Sequence, residues 1–401
     1  MASLTVAGVV YLLAIREFFA TPIFSRRLVV IGLVLAAAWN IAFLQVPAGA
    51  DDDIHRYVWD GRLQRLGYNP YLVIPSGPAV KGLHTAETRT LNNPDLPSPY
   101  PAGAQLFFRA VTAIHESTFA MKVAFVVCEF AIVFVLLDVL RFTGQGQRAH
   151  LVLAFAWNPL LAIEVAGSGH IDIVGALLLV VSAAALVRRW RATAAVALGL
   201  AIAVKFLPVV LLPFYWKRVR IRDAALAAVV VGLLYLPFLN HGHIPIGSLG
   251  TYVQSFRFNG PVFAMLARVA PPQLLVGLAV LVGLATATWL RRAKRKLSLE
   301  QFAWPMAATL LFAPAVFPWY LLWLLPFLTS ASTLLIIIWT VSIIPIYVQW
   351  HLRALGRPWG ALPGWVMLLE YGCVAVAGAI IAFRCFTRPA IMPVNDQNRA
   401  I

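Results

Sequence analysis

Residues 51–61 read DDDIHRYVWDG, and they follow an apolar run, residues 28–46, that is long enough to cross a bilayer. They also open the longest polar segment of the chain, residues 48–115. Carboxylates at the exit of a span lie where water and headgroups meet the hydrocarbon. A reaction between a membrane-held substrate and a polar one needs its acid or base at that level. The stretch therefore predicts chemistry at one membrane surface.

The composition indicates a polytopic membrane protein. Of the 401 residues, 61% are hydrophobic and 12% are charged, whereas about a quarter of the residues in a soluble domain are charged. Apolar runs near the length of a spanning helix recur along the chain, so we predict one all-α integral membrane domain over residues 1–401 with about 12–13 transmembrane helices. The net charge of +16 is carried by short clusters between these runs, as in cytoplasmic loops, which disfavours binding of nucleic acid.

The basic clusters also predict which loops face outward. Residues 48–115 form a long first extracytoplasmic loop that carries short amphipathic helices, and residues 240–261 form a second one. Residues 192–216 are apolar but have basic clusters at both ends. One span cannot have two cytoplasmic ends, so we predict a broken hairpin with Lys205 at its apex. Non-helical backbone at that depth must be buried in protein or line a cavity.

The unusual polar groups collect on the outer side of this topology. Ionisable groups near or within spans are costly and are functional candidates. A carboxylate there can act as general base toward a hydroxyl, and cations can stabilise a phosphate leaving group. No nucleotide-binding motif is present, so an activated sugar would arrive on a lipid phosphate. The groups are Asp51–Asp53, Arg56, Asp60, Glu164, His170, Asp172, Lys205 and Arg257.

Several of the ionisable groups also have a structural explanation. The carboxylates 51–53 could be a solvated span end, His170 a turn residue satisfied by backbone, and Lys205 a snorkelling side chain. Glu129, inside an apolar run, could be the buried partner of a cation. A transporter or flippase of a lipid-linked sugar is the alternative function, although the paired repeats common in transporters are not visible.

Several short motifs resemble one family of enzymes. They resemble bacterial members of the GT-C superfamily, above all the polyprenol-phosphate-dependent mannosyltransferases and their uncharacterised relatives. The resemblance extends over residues 28–213. The motifs are DDIHRYVWDG at 52–61, NPY at 69–71, NPDLP at 93–97, YP at 100–101, WNP at 157–159, GHID at 169–172 and KFLP at 205–208.

The resemblance implies a GT-C fold and a metal-independent, inverting transfer from a polyprenyl-phosphate sugar, with no cofactor. It places the protein in the bacterial inner membrane with its active site on the extracytoplasmic side. The expected partners are this donor, a lipid or glycan acceptor and membrane lipids. The family's general base is an acidic residue in an Asp-aliphatic-x-x-Tyr setting in the first loop. Asp53, followed by Ile54 and Tyr57, matches this setting.

The expected reaction is a single displacement of a hexose, with mannose as the first candidate. Asp53 deprotonates the acceptor hydroxyl, which attacks the anomeric carbon, so a β-linked donor gives an α-linked product. The candidates for binding the donor phosphate are His170, Lys205, Arg56 and Arg257. The candidates for contacting sugar or acceptor are Asp52, Tyr57, Asp60, Tyr100 and Asp172. A divalent ion held by the carboxylates is the alternative to a metal-free site.

Overall fold

A computed structural model describes residues 2–49, 52–240, 245–294, 296–358, 360 and 362–387. Asp51 and residues 241–244 of the second predicted loop lie outside the described residues. Within them the chain forms α-helices joined by short 3-10 segments, and no β-strand. The predicted all-α class is confirmed.

The N-terminal part forms five α-helices. The second begins at Ser25, whose side chain accepts a hydrogen bond from the amide of Leu28 at 3.3 Å, a typical N-cap. The third and fourth helices are the short helices predicted for the first loop, and they approach closely at Gly61, where a Cβ would lie 2.5 Å from the Phe108 carbonyl. The five helices are α1 (Ala2–Ala20), α2 (Arg26–Leu44), α3 (Asp53–Arg65), α4 (Ala102–Ile114) and α5 (Thr118–Phe142).

The middle of the chain alternates helices with breaks. A π-helical turn, Ala162–Gly167, precedes α8, and a 3-10 segment, Leu207–Leu211, follows α9. The α-helices of this part are α6 (Leu153–Ala156), α7 (Pro159–Leu161), α8 (Asp172–Val187), α9 (Arg191–Val204), α10 (Leu212–Tyr215) and α11 (Ile221–Tyr235).

The structure confirms the predicted hairpin around Lys205. The hydroxyl of Ser182 on α8 donates to the carbonyl of Ala194 at 2.5 Å and lies 2.7 Å from the hydroxyl of Tyr215. The beginning of α9 and the end of α10 therefore lie at one level. The helix α9 ends at Val204, and Lys205 has extended backbone with φ −159°.

The C-terminal part contains the remaining helices and most of the 3-10 segments. The α-helices are α12 (Leu249–Ser255), α13 (Pro261–Leu266), α14 (Pro272–Ala293), α15 (Ala303–Leu311), α16 (Leu334–Ser342), α17 (Val348–Ala354) and α18 (Gly364–Thr387). Between α15 and α16 the chain forms 3-10 segments at Pro318–Trp323, Leu325–Phe327 and Ala331–Thr333, and Pro318 and Pro326 interrupt the first part of this stretch.

Fewer continuous helices could cross a membrane than the sequence suggested. Among the described residues, seven are long and apolar enough, or eight if the pair Gly146–Ala156 and Pro159–Gly167, bent by 53°, counts as one span. The expectation of about 12–13 transmembrane helices treated each apolar run as a crossing. Several runs instead form short helices such as α8 and α9, or are broken by proline. The protein is a multi-pass membrane protein.

Candidate functional site

One cavity of about 630 Å³ brings together residues from distant parts of the chain. Five of the predicted site residues line it, and this volume is typical of small-molecule sites. The walls come from the start of α3, the turn before α8, the break after α9, α12, the segment 313–320 and α17. The five residues are Asp52, Asp53, Tyr100, His170 and Lys205.

Asp53 is held from two sides and still reaches the cavity. It is the first residue of α3, where the helix dipole favours a negative charge. Its Oδ1 accepts a hydrogen bond from the side chain of Asn92. Its Oδ2 lies 3.8 Å from Nδ1 of His170, and the side chain remains 19% exposed. An oriented, accessible carboxylate of this kind can accept a proton from a bound hydroxyl.

His170 lies between two acids. Its ring stacks on Trp319 with 4.0 Å between the ring centres, and its Nε2 lies 3.1 Å from Oε2 of Glu164. Burial acts to lower the pKa of His170, but the hydrogen bond and charge of Glu164, with the charges of Asp53 and Asp172, outweigh burial and raise it. The geometry therefore favours a cationic imidazole next to Asp53.

Glu164 is part of this site, although sequence reasoning gave it no role. It lies in the π-helical turn, a distortion frequent at functional sites. Its Oε1 accepts a hydrogen bond from the hydroxyl of Tyr347. Its carbonyl accepts from the amides of Gly169 at 3.1 Å and His170 at 2.9 Å. Sequence analysis counted it among the outer polar groups, because an acid near a span is a functional candidate, but assigned it no specific contact.

The turn before His170 requires glycine. Gly169 has φ +81°, and a Cβ there would lie 2.5 Å from Cδ1 of Ile54 and 3.2 Å from Cγ of Lys122. Lys122 is itself buried and donates to the carbonyl of Val46 at 2.7 Å. Close packing of three chain segments therefore fixes His170 against α3.

Lys205 brings a positive charge to the cavity. Its Nζ donates to Oδ1 of Asp172 at 2.7 Å and lies 3.9 Å from the ring centre of Tyr320, close enough for a cation–π interaction. Its side chain is 28% exposed. Asp172 is buried and also accepts from the indole of Trp323 at 2.7 Å. Asp172 therefore lies behind the cavity wall, where it positions Lys205, and does not itself line the cavity.

The structure does not bring Arg56 or Asp60 to the cavity. They form a buried ion pair of 3.0 Å on successive turns of α3. Arg56 also donates to the carbonyl of Leu96 at 2.8 Å, and Asp60 accepts from Gln105 at 2.9 Å and from Ser98. These contacts join α3 to the loop before α4 and to α4 itself. The two side chains therefore have a structural role.

Two other predicted residues also lie away from the cavity. Tyr57 is buried, stacks on Phe108 at 4.5 Å and meets Tyr100 edge-on at 5.1 Å. Arg257 donates to the carbonyls of Phe256 at 2.7 Å and Gln254 at 2.6 Å, at the end of α12. Its charge there satisfies helix carbonyls.

Arg353 lines the cavity, as do Asn92 and Tyr252, and sequence reasoning gave none of them a role. Arg353 lies on α17, far from Asp53 in the sequence. Asn92 was visible only as part of a turn-rich stretch.

The same environment changes the pKa of Asp52. Its Oδ2 accepts from the amide of Gly49 at 2.7 Å. Burial, helped by the charges of Glu164 and Asp53 and opposed by His170, raises the pKa of Asp52 to about 6. In the described part of the chain, no group of three or more His, Cys, Asp or Glu residues is arranged to hold a metal ion.

Comparisons with known proteins identify a family and solved structures that are similar. The family model described as "Alpha-(1->6)-mannopyranosyltransferase, N-terminal domain" matches residues 1–220, more than half of the chain. The crystal structure of ArnT from Cupriavidus metallidurans bound to undecaprenyl phosphate is similar with a TM-score of 0.48 and 15% identity, covering 90% of this chain and 73% of that one. No protein of curated function matches the sequence.

Proposed function

We propose that this chain, which belongs to the alpha-(1->6)-mannopyranosyltransferase family, transfers mannose from a polyprenyl-phosphate donor to a hydroxyl of a lipid or glycan acceptor. The observation that carries the proposal is one cavity that holds Asp53, His170 at 3.8 Å from it, and Lys205. A proton acceptor and phosphate-binding cations are the two elements that such a transfer needs.

In the proposed reaction, Asp53 takes the proton of the acceptor hydroxyl. The acceptor oxygen attacks the anomeric carbon, and the bond from this carbon to the phosphate oxygen breaks. The phosphate leaves with the electron pair, and the configuration inverts. A β-linked donor then gives an α-linked product, in keeping with the linkage in the family's description.

Lys205 and Arg353 are the proposed partners of the leaving phosphate. Lys205 uses one donor on Asp172, which leaves others of its three donors for a ligand. Arg353 lines the same cavity and offers the planar group that binds phosphate oxygens in pairs. These two cations line the cavity and replace Arg56 and Arg257, which do not. His170 is proposed to stay cationic and to place its charge beside Asp53.

The composition of the walls supports a lipid-linked sugar. Apolar side chains, among them Val253, Phe256 and Pro314, give room for a polyprenyl chain. Aromatic rings, including Tyr252, Trp319 and Tyr320, offer flat surfaces next to the charged groups. Mostly apolar pockets with a few placed polar groups are typical of ligand sites.

We propose that the cavity opens on the extracytoplasmic side of the bacterial inner membrane. Both ends of the α9–α10 hairpin are flanked by basic residues, Arg191 and Lys217, and basic clusters mark the cytoplasmic side. Lys205 lies at the other end of α9, about 20 Å away along 14 residues of helix. This separation supports a site remote from the cytoplasmic surface.

The test is transfer of labelled mannose from a polyprenyl phosphate to lipid extracts by the full-length protein in detergent, with and without EDTA. We expect product in both, because the proposed site needs no metal. Loss of product in EDTA, restored by a divalent ion, would contradict the metal-free mechanism. If wild type forms no product in detergent but moves lipid-linked mannose across sealed vesicles, the flippase alternative replaces the enzyme.

A further inference from the structure

A second cavity, of about 690 Å³, lies between α10 and the C-terminal end of α14. Three cations line it: Lys217, Arg291 and Arg292. They come from segments far apart in the sequence, so their convergence is a product of the fold. In the part of the chain that the structure describes, none of the three forms an ion pair with a carboxylate.

A fourth cation increases the unbalanced charge. Arg218 follows Lys217 directly, and burial together with the charge of Arg291 lowers the pKa of Arg218. Its Nη1 donates to the carbonyl of Phe214 at 2.8 Å. Like charges held this close repel each other, and a bound anion would relieve the repulsion.

The shape of this groove suits an amphipathic ligand. Leu212 and Leu284 line it beside the cations, and the side chain of Leu212 is exposed. Trp216 lines the groove and is exposed, as aromatic anchors at the membrane interface are. Lys217 has φ +61°, an unfavourable backbone conformation for a residue other than glycine.

We propose that this basic groove binds the headgroup phosphate of an anionic phospholipid, with the acyl chains along Leu212 and Leu284. Basic pockets between transmembrane helices on the cytoplasmic side are suited to anionic headgroups. The groove shares no lining residue with the cavity that holds Asp53. The chain segment 205–217 runs from one to the other. A lipid bound here would join α10 to α14 and so hold the base of the hairpin that carries Lys205.

The test is a titration of the full-length protein in detergent with phosphatidylglycerol and with phosphatidylcholine of the same acyl chains, followed by native mass spectrometry. We expect wild type to retain phosphatidylglycerol in preference. Each cation removed should weaken binding by about five-fold, so the triple variant Lys217→Gln, Arg291→Gln, Arg292→Gln should lose on the order of a hundred-fold.

The matched control is Arg189→Gln, Lys294→Gln, Lys296→Gln, which removes the same charge from residues that do not line the groove. We expect it to bind phosphatidylglycerol as wild type does. If the triple variant does not give folded protein, the single change Lys217→Gln with its five-fold loss takes its place. Because the readout is binding, it does not depend on sugar transfer.

Four outcomes would overturn the proposal. Equal retention of the two phospholipids by wild type would show that headgroup charge is not recognised. Equal losses in both triple variants would show that only the overall surface charge matters. Displacement by inorganic phosphate at the same concentration, or selective retention of polyprenyl phosphate, would assign the groove to another ligand.

Discussion

Two clusters of acidic and basic side chains begin one helical turn apart on α3. Their differences show which cluster supports the fold and which faces the cavity. In one cluster, Arg56 and Asp60 are buried and find all their partners within the protein. In the other, Asp53 is partly exposed to a cavity, and within the described structure Nδ1 of His170, which lies 3.8 Å from Asp53, has no hydrogen-bond partner. Buried polar groups are usually satisfied, so unmet donors and acceptors beside a cavity indicate a place for a ligand.

The change Asp53→Asn tests the open cluster and should have the largest effect. It keeps the size of the side chain and removes its basicity, so transfer should fall by about 10²–10⁴-fold. Turnover of labelled mannose, measured with saturating donor, gives this number. Donor binding and the unfolding temperature should stay close to wild type. Full activity in this variant would remove Asp53 from the role of base.

The change Arg56→Met tests the closed cluster. It leaves the carboxylate of Asp60 buried without its ion pair, which should cost about 3–5 kcal/mol of the free energy of unfolding. Thermal unfolding in detergent measures this loss. The double variant Arg56→Met, Asp60→Asn should regain part of it. Normal stability with loss of donor binding would instead place Arg56 in the donor site, against the arrangement of its hydrogen bonds.

The change Glu164→Gln tests whether the open cluster depends on a charged His170. The pKa of His170 is raised above its ordinary 6.5, so the stabilisation from its charge is complete below pH 6.5 and is lost as pH rises through the higher folded value. Without the Glu164 charge, the pKa of His170 should fall, so transfer should be lost at a lower pH than in wild type. Each unit by which the pKa falls lowers the ratio of charged to neutral His170 about ten-fold. The NMR titration of His170 measures this shift without an activity assay.

The control for that experiment is Tyr347→Phe, which removes one hydrogen bond from Glu164 and keeps its charge. Its pH profile should stay closer to wild type than that of Glu164→Gln. Identical profiles for wild type and Glu164→Gln would mean that Glu164 supports the fold without setting the charge of His170.

The change Asp52→Asn should have the smallest effect on transfer and a favourable effect on stability. Because the folded pKa of Asp52 is raised to about 6 from 3.8, stability is lost as pH rises from 3.8 to about 6, and the full loss, up to about 3 kcal/mol, persists at higher pH. The variant should therefore unfold at a higher temperature than wild type at pH 7.5 and at the same temperature near pH 3.5. If it loses transfer as Asp53→Asn is expected to, Asp52 is the base.

Local sequence, together with the family resemblance, was enough to select Asp53, His170 and Lys205 as candidates, and the structure brings all three to one cavity. The hairpin followed from basic residues at both ends of one apolar run. Sequence could not separate Arg56 from Asp53, because the partners that bury Arg56 come from residues 93–98 and become visible only when that loop folds onto α3. Arg353 and Tyr347 reach the site from the far end of the chain, and no local pattern connects them to it.

The hairpin around Lys205 has a consequence for how the protein is assembled. The helix α9 is about 20 Å long, shorter than the roughly 30 Å of a hydrocarbon core, and the extended residue at its end leaves peptide groups that lipid cannot satisfy. It packs against α8 and α11. The hairpin can therefore reach its final position only after α8 and α11 have entered the bilayer. Lys205 is then among the last residues to join the cavity during membrane insertion.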